Sequence, residues 1–84
     1  MELGNYLHTY RKKRNLTLLE LADMADCTKG YLSQVENGHW APNIFTLHLV
    51  CKALRCSYRR AMELLALDMM EGRIGPRARE KERK

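Results

Sequence analysis

Residues 17–38 read TLLELADMADCTKGYLSQVENG, two short helical patterns separated by a tight break. The first opens on Thr17 with Glu20 three residues later, the spacing of a capping box. Leu18, Leu21, Ala22 and Ala25 then recur at helical intervals. Asp26-Cys27 forms the break, and Thr28 supplies a second N-cap at once. In the second pattern Leu32 and Val35 point one way, whereas Lys29, Ser33, Gln34 and Asn37 point the other. Asn37-Gly38 is a stop signal, because both residues tolerate positive φ. Helices this short and this tightly joined must cross steeply over one shared apolar contact. The second then presents a polar outer face that needs no packing. That is the form of a helix-turn-helix, which lays its second helix in the major groove of DNA.

The flanks extend the helical reading in both directions. Leu3, Tyr6, Leu7 and Tyr10 form an i, i+3, i+4, i+7 stripe, so an amphipathic helix opens the chain and ends near Arg14 or Asn15. Arg11 lies four residues after Leu7 at the edge of that stripe, where an unpaired guanidinium is costly. Glu36 follows Leu32 by four on the inward side of the second motif helix and has the matching problem. A bidentate Arg11–Glu36 pair satisfies both. Beyond Gly38, Pro42 forces an extended loop, and Asn43 caps a fourth helix whose stripe is Ile44, Leu47, Val50, Cys51 and Leu54. Trp40 in the loop has two readings, packed beneath it or laid against a sugar-phosphate, and packing is preferred.

A fifth helix is expected from Ser57 to about Gly72. Ala61, Met62, Leu64, Leu65, Ala66, Leu67, Met69 and Met70 surround nearly all of it, interrupted by Glu63, Asp68 and Glu71. Two apolar stripes need two partners, the domain's own core and a second subunit. Met62, Leu65, Met69 and Met70 are therefore the expected dimer seam. The expected organisation is one domain over residues 1–72 and a basic disordered tail over 73–84, where apolar periodicity vanishes.

LELADMADCTKGYLSQVENG resembles the signature of the phage-repressor-type helix-turn-helix regulators, the Cro-like or xenobiotic-response-element-like family. Leu21, Ala22, Cys27, Thr28, Leu32, Ser33, Val35, Glu36 and Gly38 fall in register with it. Three positions depart: Asp26 and Arg55 stand where glycine is usual, and Leu18 where a phosphate-reaching glutamine is usual. The resemblance covers roughly residues 3–66 and implies an all-α, five-helix lambda-repressor-like domain. It also implies an Arg11–Glu36 bridge, and a loop through His39 and Asn43 that runs along the phosphate backbone.

Composition agrees with an acidic partner. The 84 residues carry a net charge of +5, and the pI is about 9.4. Basic residues cluster at 11–14, at Arg55, Arg59 and Arg60, and in the tail. Three cysteines, Cys27, Cys51 and Cys56, have no framework spacing, and with no leader or membrane span read in the chain the expectation is cytoplasmic. A metal site drawn through His48, Cys51 and Cys56 has too few ligands and the wrong gaps. His8, His39 and His48 lack a nucleophile or carboxylate partner in any motif spacing, so neither an enzyme nor a cofactor is expected.

The second motif helix carries the recognition chemistry. Lys29 at its start can reach guanine O6 or N7, and Gly30 lets the helix end approach the bases. Gln34 can pair bidentately with adenine, Ser33 can donate or accept, and Thr28 offers a methyl for thymine. Tyr31 and Asn37 flank this face and suit phosphate oxygens. The expected function is a dimeric transcriptional repressor reading a short, partly palindromic double-stranded site, of bacterial, phage or mobile-element origin. The alternative is an antitoxin of a two-gene operon whose fifth helix grips a toxin.

Overall fold

A computed structural model describes residues 2–72, and the expected basic tail lies outside them. Five helices follow one another: α1 (Glu2–Lys13), α2 (Leu18–Met24), α3 (Lys29–Glu36), α4 (Ile44–Leu54) and α5 (Tyr58–Met70). Leu3, Leu7, Leu21, Leu32, Val35, Leu47, Val50 and Leu54 meet in one core with almost no exposure. Each comes from the apolar stripe of its own helix, and all but α5 contribute to this set. Ala61, Leu64 and Leu65 of α5 close the core.

Helix starts are set by side-chain caps. Thr17 Oγ1 accepts the Glu20 N–H at 3.1 Å while Glu20 Oε1 accepts the Thr17 N–H at 2.8 Å. Thr28, Asn43 and Ser57 cap α3, α4 and α5 through the N–H groups of Tyr31, Thr46 and Arg60. For α1 the cap comes from the opposite end of the chain. Asp68, fully buried on α5, accepts the N–H of Glu2 at 3.0 Å and of Leu3 at 2.9 Å. Its charge lies at the positive end of the α1 dipole, which favours an anion.

Helix ends share one solution. After each helix comes a left-handed residue: Asn15, Asp26, Gly38, Arg55 and Gly72, with φ of 59°, 57°, 80°, 58° and 70°. In the first four, the next N–H returns to the carbonyl five residues back, as in Leu16 to Arg11, Cys27 to Ala22, His39 to Gln34 and Cys56 to Cys51. The left-handed residue itself donates to the carbonyl three back. These are Schellman closures, which satisfy terminal carbonyls and press two side chains together across the turn. Asp26 and Arg55 thus keep the geometry that glycine usually provides.

Arg11 and Glu36 join α1 to α3. Arg11 Nε donates to Glu36 Oε2 at 2.8 Å and Nη2 to Oε1 at 3.1 Å, both side chains being under 10% exposed. Arg11 Nη1 also donates to the Leu16 carbonyl at 2.9 Å, across the α1 closure. His8 Nδ1 lies 3.1 Å from Glu36 Oε1, so its ring completes the cluster.

One expectation about α5 is corrected. Leu65, assigned to a subunit seam, is buried in the domain's own core, because Ala61, Leu64, Leu65 and Asp68 form the inward face. Met62 is half-buried against the same core. Leu67, Met69 and Met70 remain exposed, Met70 most of all. Asp68, read as an interruption of the apolar surface, is part of the interior.

Four substitutions measure these ties. Asp68→Ala strands two helix N–H groups and should cost about 2–3 kcal/mol of stability. Glu63→Ala, whose exposed pair with Arg60 spans 3.2 Å, should cost no more than about 0.5 kcal/mol. Arg11→Ala should cost about 2–4 kcal/mol by leaving the buried Glu36 carboxylate with only the exposed His8 ring beside it. Arg11→Lys should recover only part, since an ammonium cannot bridge both carboxylate oxygens and the carbonyl. Urea unfolding of the four variants, with Lys12→Ala as an exposed control, checks the order.

Candidate nucleic-acid interface

The interface is built on α3. Its eight residues span about 12 Å at the helical rise. Leu32 and Val35 are buried beneath it, and this orients everything else. Thr28, Lys29, Gly30 and Asn37 are exposed, while Ser33 and Gln34 are half-buried on the same outward side. Asn37 Nδ2 reaches Ser33 Oγ at 3.5 Å, so the row Lys29, Ser33, Asn37 runs down one stripe with Gly30 and Gln34 beside it. Among the described residues, Glu36 is the acid of α3, and its carboxylate is turned inward to Arg11. The outward face therefore keeps the positive charge of Lys29.

The α3 closure has a chemical consequence at Gln34. The 6→1 turn brings His39 over Gln34, and the His39 ring nitrogen Nδ1 hydrogen-bonds Gln34 Oε1. With Nδ1 as donor, one lone pair of Oε1 and both amide hydrogens of Gln34 stay available. His39 Nε2 is then an acceptor, and the ring can donate to an anion only as an imidazolium. In this geometry the His39 ring orients the Gln34 amide.

Tyr31 and Asn43 engage one another. The Asn43 N–H donates to Tyr31 Oη at 3.2 Å, and the same hydroxyl interacts with the Thr46 side chain. Burial, as the main cause, pushes the Tyr31 hydroxyl above its ordinary pKa. The Asn43 backbone amide, on the loop expected to run along the phosphate backbone, is thus satisfied within the chain. Trp40 is half-buried with its ring 6.0 Å from that of Tyr31, and the loop rests on this pair.

Sequence reasoning passed over the ground beside the α3 start. An open groove there is lined by Arg11, Lys12, Asn15, Leu16, Thr17, Leu18, Leu19 and Lys29. Lys12 and Lys29, seventeen positions apart, thereby border one concave surface. The run Arg11-Lys12-Lys13-Arg14 signals a basic surface, and the phase of α1, with Leu3, Leu7 and Arg11 buried, leaves Lys12 bordering this groove. Leu18 lies on the groove wall, an apolar contact where glutamine is usual. No cluster of three or more metal-ligating side chains occurs among the described residues.

The family model described as "Helix-turn-helix" matches residues 7–60. The immunity repressor protein of Bacillus phage phi105 is 35% identical over 54 residues, 64% of this chain and 38% of that protein. The transcriptional regulator ClgR of Mycobacterium tuberculosis is 36% identical over 53 residues, 63% of this chain and 47% of that protein. The matched stretch is thus less than half the length of these curated relatives. Matched residues, helix order and turn geometry agree: the chain belongs to the phage-repressor (xenobiotic-response-element) type of the helix-turn-helix family.

Proposed function

We propose that the chain is a sequence-specific, double-stranded DNA-binding regulator of transcription, acting as a dimeric repressor. The observation that carries this reading is the α3 surface: a polar, cationic face held outward by buried Leu32 and Val35, with its acid sequestered by Arg11. Lys29, Ser33 and Gln34, with Thr28 at the cap, read base edges. Gly30 permits the approach, and Asn37 holds a phosphate at the margin. Tyr31 contributes by donating its hydroxyl hydrogen outward while it keeps the Asn43 amide. Association of two copies uses the exposed Leu67, Met69 and Met70 with Met62 at the edge. The same apolar face supports the second reading, an antitoxin gripping a toxin. No described helix is long and apolar enough to cross a membrane.

Selection of bound duplexes from a random library tests the reading, and failure to enrich any motif overturns it. Gln34→Ala should cost about 1–3 kcal/mol on the selected site and flatten the preference at one base pair per half-site. Asn37→Ala should weaken selected and scrambled duplexes by similar factors, because phosphate contacts carry no sequence. Gly30 has open space where a Cβ would sit in the free chain. Gly30→Ala should therefore raise stability by up to about 1 kcal/mol while weakening operator binding, two opposite signs in one variant. Met69→Glu should shift sedimentation toward monomer and weaken binding to a two-half-site duplex more than to a single half-site.

A further inference from the structure

Cys51 and Cys56 stand on either side of the α4 closure. Arg55 is its left-handed residue and donates to the Lys52 carbonyl at 3.3 Å, while the Cys56 N–H donates to the Cys51 carbonyl at 3.1 Å. A Schellman closure presses the side chains of these two positions together. Here both are thiols, set on either side of a turn closed by their own backbone hydrogen bond, and each perturbs the acidity of the other. Both residues belong to one turn, whose backbone the Cys56–Cys51 hydrogen bond closes. Cys51 is buried, whereas Cys56 is half-exposed and open to a small reagent.

The surroundings distinguish the two sulfurs. The hydrogen bond from Cys51 is the main cause that lowers the Cys56 thiol to about 7, and the Tyr6 hydroxyl and the Arg14 charge act in the same direction. Its partner is driven the other way, first by that hydrogen bond and then by burial. Arg14 is held in place because its Nε donates to the Leu54 carbonyl at 2.8 Å and its Nη2 to the Arg55 carbonyl at 3.2 Å. Tyr6 is held because its hydroxyl accepts the Ser57 N–H at 3.1 Å. An accessible thiolate beside a cation, with a second thiol across the same turn, is the arrangement of a nucleophilic and a resolving cysteine.

We propose that Cys51 and Cys56 are a modification site, an oxidisable dithiol that a hydroperoxide converts to an intrachain disulfide. The Cys56 thiolate attacks the terminal peroxide oxygen; an S–O bond forms, the O–O bond breaks, and hydroxide or alkoxide leaves and takes a proton. Cys51 then attacks the sulfenic sulfur. The S–S bond forms, the S–O bond breaks, and the Cys51 proton leaves with the departing hydroxide as water. Two thiols are oxidised by two electrons, and one peroxide is reduced. The bridge fastens the last turn of α4 to the start of α5.

Hydrogen peroxide and iodoacetamide are sufficient probes. At neutral pH, Cys56 of the native chain should alkylate at least about tenfold faster than Cys27, whose thiol burial pushes upward. The Cys56 rate should reach half its maximum near pH 7, and the preference should vanish in denaturant. Limiting peroxide should remove two hydrogen atoms from the chain. Trypsin cleaves after Lys52 and Arg55, so the peptides bearing Cys51 and Cys56 should stay joined only when bridged. Cys51→Ala should stop at a Cys56 sulfenic acid that dimedone captures, and Cys56→Ser should give no bridge. Equal alkylation of the cysteines, first oxidation at Cys27, or a bridge between two chains would each overturn the proposal.

Discussion

The Arg11–Glu36 pair is the constraint on which the arrangement depends. A glutamate on the recognition helix of a nucleic-acid reader is a problem, since it repels phosphate if it faces outward and is costly to bury alone. Here the guanidinium donates to both carboxylate oxygens and uses a further N–H to hold the α1 closure at Leu16. The rotational setting of α3 follows. With Glu36 directed inward, Leu32 and Val35 point into the core, and Lys29, Ser33 and Gln34 can only point out. A buried ion pair is weak evidence for stability, but it can specify one packing over others.

The same economy runs through the helix ends. Four closures with one backbone geometry bring together four different side-chain pairs: Arg11 with Leu16, Ala22 with Cys27, Gln34 with His39, Cys51 with Cys56. Each pair does what its chemistry allows. Apolar partners seal the core edge, the His39 ring hydrogen-bonds Gln34, and two thiols flank one turn. A conformation adopted to satisfy carbonyls thereby becomes a device for placing functional groups.

Much of this was legible in the sequence, and the reasons are local. Caps at Thr17, Thr28, Asn43 and Ser57 are read from single residues and short spacings, and the structure has all four. The Arg11–Glu36 pair follows from two charges that both lie on inward stripes. Periodicity fails where it cannot say which of two apolar stripes meets the core, and Leu65 lies on the stripe that does. Asp68 fails more deeply. A lone acid in an apolar helix looks like a solvent residue unless the distant N–H groups it serves are known. The resemblance implies only a backbone-tracking loop at His39, because the turn at Gly38 that bends its ring over Gln34 is not visible in the sequence.

Asp68 links positions 66 and 65 apart in sequence, and both halves of that link lie outside the 7–60 span shared with the family. The shared module therefore does not contain its own latch. Contacts so remote in sequence carry a large loop-closure entropy and form only after the intervening helices have gathered. Conversely, detachment of α5 exposes the first turn of α1 and loosens Leu3 and Leu7 from the middle of the molecule. The first and last helices thus belong to one cooperative unit. In native-state hydrogen exchange, their amides would share a single opening free energy despite standing at opposite ends of the described chain.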